Sequence, residues 1–427
     1  MRRRLFLSRT AGMAGAAAWG LTGCGSEGDT GGRDVTLSLL AASYGKSVGA
    51  SIVDRWHATI AAFEKRHPHI RIDLELVPIG RIDATLARRV RNGNAPDIAQ
   101  SYAFADYAEA HQLYRAEELF DVTTQADFIT SFARAGEVGF VEYGIPFLAS
   151  TPRLFYHKGL FARAGVAGPP SSWAELRSTA AALKAAGVKT PYGLQLGPEA
   201  AEDEALAWML AAGGGYSGPS GYDFAKKENV ETLDWLKSRL VAPGLAGDDP
   251  ARFSRTPAYA AFLKGEVGMM LAHPVLIEAA EQARLAYGHA AFPMRHGNGA
   301  APPVGLSDWL MAFNRGGHRK ECAAFLAFLF TNKDAARFAA GQGTLPVTAP
   351  GSESLHRQQT QRPLWKFVDQ MPKAEFHPVN RSSWPKVRDA VRDRIGDAVM
   401  AHGDPRSTLD GLQLTANLAE SRTTPTT

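Results

Sequence analysis

Val35, Leu37 and Leu39 alternate with Thr36 and Ser38, the two-residue period of a β-strand. A helical pattern follows over 51–66. Trp56, Ile60 and Phe63 share one face, Ser51 with Asp54 supplies a start signal, and Pro68 ends it. Ile70, Ile72, Leu74 and Leu76 alternate as a second strand, and 81–91 reads as a second helix. Asn92-Gly93-Asn94 is a turn, and Ala95-Pro96-Asp97-Ile98-Ala99 starts a third, buried strand. This β-α-β-α-β order predicts a parallel sheet with helices on both faces.

The middle of the chain continues in kind. Ser172 and Glu175 predict a capping box for a helix reaching Gly187, with Leu176, Ala180 and Leu183 as its buried stripe. Helices are expected over 202–212, stopped by Gly213-Gly214-Gly215, and over 228–240, 259–264, 319–330, 333–340 and 387–399. Val267 to Leu271 is a strand, and past Ala416 the chain is polar and expected to fray. No repeat with a period of about 20–50 residues is present.

The first residues follow other rules. Arg2-Arg3-Arg4 precedes the apolar stretch Ala11 to Leu21 and the small-residue exit Leu21-Thr22-Gly23-Cys24. That is the layout of an export signal over 1–23. The apolar stretch is too short for a membrane core about 30 Å thick, which needs about 20 helical residues. Arg3-Arg4-Leu5-Phe6-Leu7 resembles a twin-arginine core. Leu21-Thr22-Gly23-Cys24 resembles a bacterial lipobox, which makes Cys24 the expected lipidated N-terminus and 24–32 a flexible tether.

Charge placement removes one functional class. The whole chain has 47 Lys+Arg against 43 Asp+Glu, but Arg2, Arg3, Arg4 and Arg9 all lie in the leader. Without them the balance is 43 against 43, and no bulk basic footprint for nucleic acid remains. The 427 residues allow two to four domains at roughly 100–200 residues each. Two cysteines exclude a disulfide framework, and Cys322 sits in an apolar helical run as an expected inert core thiol.

Enzyme signatures are weak. Gly45-Lys46-Ser47 follows the first strand, but a phosphate-binding loop needs glycine where Leu40 stands. Gly297-Asn298-Gly299 lacks the third glycine of a dinucleotide turn. His67-Pro68-His69 reads as a helix end rather than a metal site, and neither H-E-x-x-H nor G-x-S-x-G occurs. Carboxylates are numerous, yet nothing nominates a glycosidase pair. No cofactor, metal or catalytic residue is expected.

Phe63 to Pro68 (FEKRHP), Ala95 to Ile98 (APDI), Tyr143 to Pro146 (YGIP), Leu154 to Phe161 (LFYHKGLF) and Pro169 to Leu176 (PPSSWAEL) occur in that order, and together they are similar to family 1 of the extracellular solute-binding proteins of bacterial ABC importers, the type usually serving sugars. Phe63 to Pro68 (FEKRHP) resembles the family's F-E-K-x-x-P helix end, and Ala95-Pro96-Asp97-Ile98 its A-P-D-V strand. Tyr143-Gly144-Ile145-Pro146 and then Leu154 to Phe161 (LFYHKGLF) resemble Y-G-x-P and L-x-Y-N-K-x-L-F. Pro169 to Leu176 (PPSSWAEL), Phe262 to Met269 (FLKGEVGM) and Thr344 to Val347 (TLPV) continue the likeness in order.

The resemblance implies an α/β, two-lobed periplasmic-binding-protein-like fold (type II), each lobe a mainly parallel sheet flanked by helices. Lobe 1 is expected at 33–146 plus 292–333, lobe 2 at 147–291 plus 334–416, and a frayed tail at 417–427. It implies a hinge near Pro146, a solute, most readily a carbohydrate, held between the lobes, and delivery to a membrane permease. The protein is expected to be a monomer outside the cytoplasm. Two alternatives stay open: a secreted lipid-anchored hydrolase, and a binding protein feeding a sensor kinase.

A sugar cleft needs flat apolar faces and hydrogen-bonding side chains. Trp384 matches a position where sugar-binding relatives carry a stacking aromatic. Tyr44 and Tyr102 follow the first and third strands, where ligands approach such sheets. Asp308 and Trp309 lie near an expected crossing, and Glu204 and Trp208 on the helix that lines lobe 2 in relatives. Trp208 and Trp384 fit core packing as well. Arg381 offers a fork of donors or a surface charge. Many relatives carry a cleft tryptophan where Val275 stands here, and His273 is the expected polar substitute.

Overall fold

The computed structural model describes residues 34–44, 46–219, 221–296, 299–331 and 343–423. The export signal, Cys24, the tether and the helix expected over 333–340 lie outside the described residues.

Strand β1 (Val35–Ser43) leads into α1 (Lys46–Arg66), then β2 (Ile70–Pro78), α2 (Ile82–Arg91) and β3 (Ile98–Ser101). Helix α1 starts before Ser51, so Ser51 lies inside it rather than at its cap. β1 pairs in parallel with β2 on one side and β3 on the other, as the β-α-β-α-β order predicts. β4 (Ile145–Ser150) and β5 (Arg153–His157) follow, separated only by Thr151 and Pro152.

Helix α3 (Trp173–Ala185) is capped by Ser172, whose Oγ accepts from the Glu175 amide at 3.2 Å. The reciprocal half of the expected box is absent. The Glu175 carboxylate accepts instead from the Ser171 amide and hydroxyl at 2.7 and 2.8 Å. Gly187, at φ +79°, turns the chain out of the helix, a conformation that favours glycine. Next come β6 (Thr190–Gly193), α4 (Ala201–Ala211), α5 (Arg255–Leu263), β7 (Val267–Ala272) and β8 (Tyr287–Ala290). β9 (Val304–Ala312), β10 (Glu375–Phe376), α6 (Trp384–Arg394) and α7 (Pro405–Thr423) close the chain. The tail expected to fray past Ala416 is helical to Thr423, because Ala416 and Ala419 are buried against the core.

Two main sheets result. The first runs β10-β9-β3-β1-β2, with β4 also on β9. The second runs β8-β5-β7-β6. Only the β7–β6 pair is parallel there; β5 is antiparallel to both β7 and β8. β5 and β8 carry the chain into and out of this sheet directly, so no crossover helix forces them parallel.

Core membership moves the expected boundaries. β4 stays in the first sheet through the Ser150–Leu306 pair, so the crossing falls at Thr151–Pro152, not at Pro146. Phe367 packs on Phe155 and His289 of the second sheet, with centroids 6.0 and 4.8 Å apart, whereas Leu345, expected on that same side, meets the first sheet. Leu345 is drawn there by its bridge to Ala149. Phe292 and Ala301 pack into the second core with Trp173 and Trp208. Gln370 fastens the crossing, its amide nitrogen donating to Thr151 Oγ1 and Pro152 O, both at 2.9 Å. Buried Arg153 donates to Gln370 Oε1 at 2.8 Å and to Lys366 O at 3.1 Å.

Candidate functional site

A cavity of about 240 Å³ lies between the elements of the two sheets. On one side are Tyr102, just past β3, Leu306, Ser307 and Trp309 on β9, and Phe376 at the end of β10. On the other are Glu202 and Asp203 in the first turn of α4, Arg255 at the start of α5, and Trp384, Arg388 and Arg392 on α6.

Local sequence explains each wall. Trp384, Arg388 and Arg392 are spaced i, i+4, i+8, so one face of α6 presents a ring and two guanidiniums. The acidic run Glu202-Asp203-Glu204 opens α4, where the partial positive charge of a helix N-terminus favours carboxylates. Gly305 makes room on β9: a Cβ there would meet the Phe376 ring at 2.5 Å. The Trp384 ring stacks on His377, with centroids 5.3 Å apart and planes 20° apart.

The charges are partly paired. Arg392 Nε donates to Glu202 Oε2 at 2.8 Å, and a second guanidinium nitrogen donates to Oε1. Burial and the neighbouring Asp203 still raise the Glu202 pKa. Arg255 pairs with Glu199 at 3.5 Å. His377 Nε2 lies 3.2 Å from Asp203 Oδ1, an ion pair when the imidazole is protonated, and both atoms are buried. Burial alone would raise the Asp203 pKa; the imidazole beside it brings it below the usual carboxylate value.

The expected site residues divide into groups. Tyr102, Trp309 and Trp384 line the cavity. Trp309 also packs against Phe104 at 5.2 Å, so only part of it is available. Glu204 and Trp208 do not reach the cavity. Trp208 is fully buried against Trp173 and Trp235, at 4.9 and 5.7 Å. Glu204 lies beneath it, accepting from Tyr192 Oη at 2.7 Å and Trp208 Nε1 at 2.9 Å, and burial pushes its pKa up to about 7. One helical position separates Glu204 from Asp203, and that step turns the side chain from the cavity to the core.

Tyr44, Asp308 and His273 form supporting contacts instead. Gln100 Nε2 donates to Tyr44 Oη at 2.6 Å and to Asp308 Oδ2 at 2.7 Å. Burial raises the Asp308 pKa to about 8. His273 Nδ1 meets Ser150 Oγ at 2.9 Å, joining the end of β4 to the end of β7, and burial lowers its pKa to about 4. Arg381 lies over the Tyr222 ring at 5.4 Å and pairs with Glu420. It borders a smaller recess of about 10 Å³ beside the main cavity. Val275 is exposed. Cys322 is buried, and burial raises its thiol pKa.

Sequence reasoning missed Glu202, Asp203, Arg255, His377, Arg388 and Arg392. The i, i+4, i+8 series from Trp384 and the acidic opening of α4 were available signals. His377 carried none, since the sequence separates it from Asp203 by more than 170 positions. No group of three or more His, Cys, Asp or Glu side chains suited to a metal occurs among the described residues. No helix among them is long and apolar enough to cross a membrane.

Comparison with known proteins agrees with this architecture. The chain is 26% identical over 363 residues to a binding protein of Brucella abortus (strain 2308), covering 82% of this chain and 85% of that one. It is 24% identical over 430 residues to the sn-glycerol-3-phosphate-binding periplasmic protein of Salmonella typhimurium (strain LT2), covering 88% and 93%. Its fold is similar to the cyclic α-maltosyl-1,6-maltose binding protein of Arthrobacter globiformis, with a TM-score of 0.77 at 19% identity over 91% of this chain and 99% of that one. The model of the bacterial extracellular solute-binding proteins matches residues 49–336, and with two sheets facing a common cavity the chain belongs to that family.

Proposed function

We propose that the protein is the substrate-binding component of an ABC importer and captures a small polar solute, a carbohydrate, for delivery to a membrane permease. One observation carries the reading: a cavity between two sheets that combines the rings of Tyr102, Trp309 and Trp384 with buried carboxylates and guanidiniums. Aromatic faces suit sugar C–H groups, and charged groups make strong hydrogen bonds to hydroxyls. The Arthrobacter protein binds a cyclic maltosyl-maltose, which agrees in ligand class.

The chemistry is binding without bond breaking. Solute on one wall draws the other wall in, and both then touch it. Moving such an equilibrium from 1:99 to 99:1 takes about 5.5 kcal/mol of differential binding. A few aromatic contacts and charge-assisted hydrogen bonds made only in the closed form can supply that. Calorimetric titration with mono- and disaccharides tests the reading. Micromolar or tighter binding is expected, and no heat across a broad panel of solutes overturns it.

The leader reading belongs to the same proposal. Arg3-Arg4-Leu5-Phe6-Leu7 directs export, and lipid on Cys24 holds a monomer at the outer face of the cell membrane. Cys24→Ser is expected to move the protein from the membrane fraction to the soluble fraction; unchanged fractionation refutes the anchor.

A further inference from the structure

The carboxylates that line the cavity already have partners. Both oxygens of Glu199 accept from Thr256 at the start of α5, from its hydroxyl at 2.7 Å and its amide at 2.8 Å. Glu202 accepts from two nitrogens of Arg392, and Asp203 lies 3.2 Å from the imidazole of His377. Glu202 and Asp203 are buried, so they build the wall rather than present themselves to a solute.

Two cations on the same side of the cavity are held less firmly. Arg255 reaches Glu199 only at 3.5 Å, beyond the usual hydrogen-bond range, and its side chain is 36% exposed. Arg388 leans on its chain neighbour Asp389, with two nitrogens on one oxygen at 3.3 Å each, and that carboxylate is 63% exposed. Ion pairs this loose and this wet contribute little to stability, so a solute displaces them at little cost. Both guanidiniums lie near Tyr102, which stands on the opposite wall and is 37% exposed. Desolvation lifts the Tyr102 hydroxyl to about 12, against the pull of Arg255 and Arg388 beside it. At neutral pH it carries its proton and can donate.

Three donor groups drawn from both walls therefore face one space. A guanidinium donates only, through a planar fork of N–H groups. A sugar hydroxyl answers that fork with one oxygen, whereas an ionised carboxylate or phosphate accepts on two or more. Each neighbouring acid is covered by its own partner, Arg392 on Glu202, Thr256 on Glu199 and His377 on Asp203, which damps repulsion of such a group. The cavity, about 240 Å³, falls below the roughly 300–1,000 Å³ of pockets that enclose drug-sized ligands, which suits one ring and its acidic substituent.

We propose that the cavity takes a monosaccharide bearing one acidic group, carboxylate or phosphate, with Arg255 and Arg388 holding that group and the Tyr102 hydroxyl meeting it from the opposite wall. This rests on the carbohydrate reading above and names the class within it.

The test is calorimetric titration of the purified protein with neutral hexoses and pentoses, the matching uronic acids and phosphate esters, and glycerol 3-phosphate. An acid-bearing sugar is expected to bind at least about 10-fold tighter than its neutral parent, the lower end for hydrogen bonds to charged groups. A uronic acid at the head of the panel identifies the group as carboxylate, and a phosphate ester identifies it as phosphate; either supports the proposal. Arg255→Gln and Arg388→Gln are each expected to cut the preference for acid over parent about 10-fold. That ratio compares two ligands on one variant, so a general loss of structure does not produce the change. A neutral parent that binds as tightly as its acid overturns the proposal and leaves the carbohydrate reading standing. So does an unchanged preference in the folded variants. If the variants do not fold, the panel on the unaltered protein decides alone. Glycerol 3-phosphate bound tighter than every sugar, or no binding by any member of the panel, overturns the carbohydrate reading itself.

Discussion

Arg392→Ala isolates the most consequential ion pair at the cavity wall. In the native protein two guanidinium nitrogens meet both carboxylate oxygens of Glu202, whose side chain is only 5% exposed. The substitution leaves a buried carboxylate next to Asp203. Removing one partner of a buried pair costs about 3–5 kcal/mol. The Arg392 side chain is 31% exposed, so solvent already screens it and the lower end, about 3 kcal/mol, applies. With an unfolding entropy of about 2.1 cal/mol/K per residue over about 390 residues, 1 kcal/mol moves Tm by about 1.2 °C. The expected loss is then about 4 °C by differential scanning calorimetry.

The pH dependence of that loss is a second readout. Glu202 already has a raised pKa, and without Arg392 it rises further. A carboxyl pKa raised in the native state means that the folded protein holds a proton the unfolded chain has released. Stability therefore falls as pH rises through the window between the two values. The deficit of Arg392→Ala should be smaller near pH 5 than near pH 8. The double variant Glu202→Met with Arg392→Met should recover most of the loss, because no charge is then left unpaired. A single variant that melts within about 1 °C of the native protein at both pH values would show that the pair does not hold this wall.

Three further outcomes are expected. Trp208→Ala should cost about 3–5 kcal/mol in denaturant titrations, and solute affinity, measured on the fraction that folds, should remain, whereas Trp384→Ala should weaken solute binding at least tenfold; equal effects on binding would contradict the core placement of Trp208. Asp308 has its pKa raised to about 8, so the native state keeps a proton that the unfolded chain loses above about pH 4; Asp308→Asn should flatten the fall of Tm between about pH 4 and pH 8, and an unchanged slope would refute this. Gly305→Ala puts a Cβ into the Phe376 ring and should destabilise by about 1–3 kcal/mol while weakening binding, both read by melting and titration; native behaviour in both would show that the ring yields freely.

Regular elements with strong periodicity were legible in the sequence. β1, β2 and α2 lie close to where alternation and helical spacing put them, because one face of each is buried and the period records it. The start of α1 was not, since a Ser-x-x-Asp pattern also fits a helix interior. The helical tail past Ala416 was missed because alanines at 416 and 419 are small contacts that a polar stretch conceals. At the site, Trp384 was reached through a resemblance and Tyr102 through its place after a strand. Glu204 lies one residue from Asp203, the side chain that lines the cavity, and an acidic run does not tell the two apart. His377 and Arg255 depend on pairings distant in sequence, which no local period encodes.

The fastening of Thr151 and Pro152 by Gln370 limits where the molecule can bend. A chain tied by two amide hydrogen bonds beside a buried guanidinium makes a poor pivot. When one half swings, the segment from Lys366 to Gln370 must travel with the start of β5 or release those bonds first. Opening is thus a concerted shift of a strand and the helix end laid against it, and Gln370→Ala should loosen that linkage without touching the solute.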